Sequence, residues 1–124
     1  MRAALLAATL LALPAAAHAQ EPCAKDGARP LALDTDASID NRVRYEVTGT
    51  PFALCVERAA LPYSAQHGHT SMIVVRVYFG RHESRFVMGP GEYVDWKGFR
   101  LDAHIDRPSY TQDNGVSVRV HREP

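Results

Sequence analysis

Net charge is the first thing this sequence lacks: 14 Lys and Arg stand against 14 Asp and Glu in 124 residues. A surface that neutralises phosphates needs a surplus of basic side chains, so nucleic acid is excluded as a partner. Cysteine is scarce, with Cys23 and Cys55 alone and no C-x-x-C, so neither a thiol redox motif nor a four-cysteine zinc site is present. No H-E-x-x-H, G-x-S-x-G or P-loop string occurs, which removes the common metalloprotease, hydrolase and nucleotide signatures. The chain is read as non-enzymatic. Lysine is rare too: only Lys25 and Lys97 are not arginine among the basic residues.

One long apolar run exists, Ala3 to Ala17, and Pro14 interrupts it. It is shorter than the roughly 20 residues of a membrane span. Arg2 before it and Ala17-His18-Ala19 after it complete a secretory signal pattern, with cleavage expected after Ala19. Residues 1–19 are therefore expected to be a signal peptide and 20–124 a single secreted β domain. Glu21-Pro22 before Cys23 do not suit lipid attachment, so the reading is neither a lipoprotein nor a membrane-spanning protein. The localisation expected is periplasmic or secreted. Loss of Arg2 leaves 13 basic residues against 14 acidic ones, still balanced. It also discards much of the apolar content, so the folded domain has a small core. Cys23 and Cys55 are expected to form a disulfide in an oxidising compartment and to supply the covalent constraint such a domain needs.

Strand patterns fill the rest. In Arg42–Thr48, Val43, Tyr45 and Val47 alternate with Arg42, Arg44 and Glu46, and a slip of one residue would bury three charges. Phe52–Val56 follows after Gly49-Thr50-Pro51. Met72–Phe79 is apolar on both faces except at Arg76, as a central strand requires. Ser84–Met88, Glu92–Trp96, Phe99–Ile105 and a final strand from Val116 come after it, separated by short turns. With a weaker strand at Leu31–Leu33, about eight short strands result. Short connections imply antiparallel pairing. The fold expected is all-β: a small antiparallel β-sandwich or a closed barrel, with the C-terminal half a meander.

Two connections exceed what turns require, 58–71 and 106–115. Long loops on a rigid sheet commonly carry function. The first holds Tyr63, His67, His69 and Thr70, and the second holds Arg107 and Tyr110. Arg and Tyr favour recognition surfaces, so Tyr63, His67, His69, Arg81, Arg107 and Tyr110 are the candidate partner-binding residues. The partner class is a protein or an envelope polymer.

A second reading starts from His67-Gly68-His69 and Met72. In an extended segment the two imidazoles project to one side, and a thioether follows three residues later. That donor set suits copper first and zinc second. No other cofactor is indicated. His104 and His121 lie on polar faces of neighbouring strand candidates, where they could meet across a hairpin. Asp34, Asp36 and Asp40 resemble half a calcium loop without its glycine or terminal glutamate, and read as a polar turn. Gly89-Pro90-Gly91 lacks the helix of a phosphate cradle and reads as a turn.

Overall fold

A computed structural model describes residues 21–60, 63–64, 68–69, 72–89, 92–107 and 115–124. The expected signal peptide, His67 and Tyr110 lie outside them. Among the described residues, eleven strands follow a short 3-10 turn at Lys25–Gly27: β1 (Arg29–Leu31), β2 (Ala37–Ile39), β3 (Arg44–Val47), β4 (Phe52–Ala60), β5 (Tyr63–Ser64), β6 (Gly68–His69), β7 (Met72–Phe79), β8 (His82–Met88), β9 (Tyr93–Trp96), β10 (Phe99–Arg107) and β11 (Gly115–Arg122).

They form a five-stranded sheet in the order β1-β3-β4-β7-β8, a four-stranded sheet in the order β2-β11-β10-β9, and a two-stranded ribbon of β5 and β6. The architecture is thus a β-sandwich, and neither main sheet closes into a barrel. The alternation in the sequence sets the packing. Val47, Leu54, Val56, Val75 and Val77 of the larger sheet and Leu101, Val116, Val118 and Val120 of the smaller are all almost fully buried in one core. As its two apolar faces require, β7 is an interior strand: Val74 on its outer side is nearly as buried as Ile73 on its inner side. Phe52 meets Phe99 at 5.1 Å between ring centroids and Trp96 at 6.4 Å, while Phe79 meets Phe99 at 6.2 Å. These rings close one end of the sandwich.

Four expectations are corrected. The C-terminal half is not one meander: β7 and β8 belong to the larger sheet, and β9-β10-β11 form a meander in the smaller one. The chain changes sheets after Gly89, where a short turn was expected to make a hairpin. Pairing is not wholly antiparallel either, because β1 runs parallel to β3. The segment around Asp34–Asp40 contains β2, which pairs with the start of β11. Finally, the long connections are shorter than expected. After a bulge at Glu57, Arg58, Ala59 and Ala60 still pair with Val74, Ile73 and Met72, and Ala59 is fully buried. At the other connection Arg107 pairs with Gly115, past a bulge at Asp106.

Cys23 and Cys55 are joined, with Cα atoms 5.7 Å apart. Cys55 points away from the core, on the outer face of the larger sheet beside Arg44 and Arg76. It is nevertheless fully buried, because the N-terminal segment lies across that face. The amide of Cys23, held at φ 63°, donates to the carbonyl of Arg42, and the amide of Arg42 donates to that of Val56.

Candidate functional site

The strand registers, with the contact of Phe52 on Phe99 between the sheets, put the strand ends that bear both long connections at one end of the molecule. The aromatic cluster contains the first residue of β4, the last of β7 and the first of β10. The other ends of these strands, Ala60, Met72 and Arg107, lie about 22–27 Å away at the usual rise per residue. Residues 61–71 and 108–114 therefore leave from the same pole. Within the first connection Tyr63 pairs with His69 and Ser64 with Gly68, so the backbone turns back on itself as a narrow ribbon. Met72 is half-buried at the start of β7. Arg81 is not at this pole: it is exposed in the β7–β8 turn, beside the aromatic end.

The outer face of the larger sheet carries a charge network that the sequence reading did not pick out. The bulge turns Glu57 toward two strands at once. Its carboxylate accepts from Arg76 Nε at 3.0 Å and from Arg85 Nε at 3.2 Å, and Arg76 Nη1 donates to Glu83 at 2.7 Å. Burial pushes the Glu57 carboxyl up, but the hydrogen bonds from Arg76 and Arg85 outweigh it and hold the group below its ordinary value. Arg44 stacks on Tyr78, 4.1 Å from the ring centroid. Burial raises the Tyr78 hydroxyl. Between this face and the N-terminal segment runs a groove of about 570 Å³, lined by Cys23, Lys25, Arg42, Glu57, Arg76 and Tyr78.

The outer face of the smaller sheet is a ladder of cross-strand pairs. Arg100 forks onto Asp95 through two bonds of 2.7 and 2.8 Å and stacks on Tyr93 at 3.8 Å. The Arg100 hydrogen bond lowers the Asp95 carboxyl, and the same bond raises Arg100. His104 and His121 do not meet across the hairpin. Leu101 opposes Val120, so His121 faces Arg100 and His104 faces Ser117. Each takes its own carboxylate: His121 Nε2 lies 3.1 Å from Asp102, and His104 Nε2 lies 3.1 Å from Asp106. Asp106 also accepts the Ser117 hydroxyl at 2.5 Å. Here the carboxylate sits between hydroxyl and imidazole. Activation of a serine needs the imidazole in that middle place, so this trio is not a nucleophilic triad.

The early carboxylates diverge. Asp36 pairs with Arg119 at 3.3 Å and Asp40 with Arg29 at 2.8 Å, so both serve as charge partners of neighbouring strands. Among the described residues no three His, Cys, Asp or Glu side chains gather as a metal-ligand group. His67 lies outside those residues. No helix among them is long and apolar enough to cross a membrane.

Comparison with protein-family models, with curated proteins and with solved structures found no match.

The lowered carboxyls predict acid sensitivity. A carboxyl whose folded value lies below its unfolded one stabilises the fold above the unfolded value and loses that contribution as pH falls. For Glu57 and Asp95 the loss begins as pH drops through their ordinary values of 4.5 and 3.8. Urea unfolding at about pH 7 and about pH 3 should show lower stability in acid. Glu57→Gln should shrink that difference while costing at most about 1 kcal/mol at neutral pH.

Proposed function

We propose that this protein is a small non-enzymatic binding module of the bacterial envelope, exported by its N-terminal segment. It holds a protein or polymer partner through residues 58–71 and 106–115. The observation that carries this reading is the common pole of the two connections. Two segments leaving from the ends of paired strands can address one partner surface together. The sandwich beneath them is rigid and doubly tied, by its core and by the Cys23–Cys55 bond. Tyr63, His67, His69, Arg107 and Tyr110 belong to these connections. Arg81, at the opposite pole, does not take part. The Cys23–Cys55 bond fits an oxidising compartment, where the exported chain would fold.

The test uses capture from an envelope extract. One variant replaces residues 63–70 with a Gly-Ser segment, and a second replaces 108–114. Each should lose the captured partner while keeping the wild-type circular dichroism, and Arg81→Ala should keep it. A partner captured equally well by both loop variants would overturn the reading.

A further inference from the structure

We infer that the free edge of β8 is a self-association surface, where a second copy of this chain adds its own β8 to make one continuous ten-stranded sheet. This lies beyond the binding role of the loop pole: it concerns another surface and another partner.

The four outer strands of the two sheets are managed differently. β1 and β2 have three residues each, and β1 contains Pro30. β9 has four residues. β8 has seven, with no proline, and pairs with β7 in unbroken register from Ile73↔Met88 to Phe79↔His82. Among the described residues no strand pairs with its other side. Short length, proline and bulges are among the devices that blunt an edge, and β8 has none of these three. Val87 on this strand is 62% exposed.

Charge complementarity argues for a second copy as the occupant, and for one register among those centred on residues 83–85. A two-fold axis perpendicular to the sheet keeps core-facing residues with core-facing residues, so it must lie level with a residue of β8, midway between that residue and its own copy. An axis at Arg85, the midpoint, sets two guanidinium groups directly opposite each other. An axis at Glu83 does the same with two carboxylates. Like charges directly opposite destabilise a sheet. An axis at Ser84 sets Glu83 against Arg85 of the second copy, and Arg85 against its Glu83. Both side chains are about half exposed. The row Glu57–Arg76–Glu83 already alternates in sign across three strands. Arg85 of the second copy continues that alternation across the junction. On the core-facing side the same register sets half-buried Phe86 against His82 of the second copy.

The test is a pair of charge variants followed by sedimentation velocity from about 1 µM to about 1 mM protein. The disulfide-bonded wild type should shift from monomer toward twice the monomer mass as concentration rises. Arg85→Glu alone should remain monomeric, because both junction contacts then oppose one carboxylate to another. Glu83→Arg alone should remain monomeric, because both contacts then oppose one guanidinium to another. An equimolar mixture of the two should dimerise, since both contacts become oppositely charged. Should either variant fold poorly, Ser84→Cys decides the matter. Paired residues at the axis approach within disulfide reach, so mild oxidation should give a covalent dimer. Val87→Cys, whose counterpart lies roughly 20 Å away along the strands, should not cross-link. A wild type monomeric throughout, a dimer untouched by both charge variants, or equal cross-linking at positions 84 and 87 would each overturn the inference.

Discussion

Replacing both Cys23 and Cys55 by alanine should lower the unfolding free energy by about 3–4 kcal/mol, a large share of what holds a domain of this size. The bond closes a segment of sequence separation 32 that contains β1, β2 and β3. Without it the unfolded chain gains conformational freedom, and the folded chain gives up nothing comparable. A second contribution comes from location. Cys55 is buried only because the N-terminal segment crosses the outside of its sheet. Loss of the bond frees that segment to leave and exposes the middle of β4. Alanine is the better replacement, since serine would bury a hydroxyl without a partner. Urea unfolding should show a lower midpoint. A loss under about 1 kcal/mol would mean that the Cys23–Arg42 backbone bond and its neighbours already hold the segment.

Phe52→Ala should cost about 3–5 kcal/mol. Phe52 is 1% exposed and touches rings from the opposite sheet, so its removal opens a cavity between the two layers. The rings around it belong to strands tied into separate sheets and cannot readily collapse onto the space. Phe86→Ala is the comparison. That ring sits on an outer strand, half-buried, and should cost clearly less. The chain has one tryptophan, Trp96, in contact with Phe52. Its fluorescence should shift to longer wavelength in Phe52→Ala as water reaches the indole. Equal losses for the two variants would mean that the sheets are not joined chiefly at this pole.

Alternation was a dependable guide wherever one face of a strand is wet. Val43 to Val47 and Phe99 to Ile105 show why: each inward step meets the core, and each outward step carries a polar or charged group that water must reach. The same logic could not find β2. In Ala37-Ser38-Ile39 only Ile39 is buried, and one apolar residue between carboxylates has no period to read. Nor could it find the parallel β1–β3 pair, since turn lengths report only on neighbours in sequence. Glu57 was invisible for a different reason. Its role arises from a bulge, which shifts one side chain sideways without any compositional mark. The partnering of Asp102 with His121 and of Asp106 with His104 depended on a register that no residue type fixes by itself. The grouping of the two long connections at one pole needed the Phe52–Phe99 contact, which relates one sheet to the other.

The pairing of β2 with β11 has a consequence in time. Residues 37–39 wait for residues 116–118, roughly 80 residues further along the chain. Contacts so distant in sequence slow folding, because the intervening chain must be closed before they form. The smaller sheet thus cannot be completed until β11 has been made. A nascent chain therefore stays incompletely folded at least until the residues of β11 have left the ribosome.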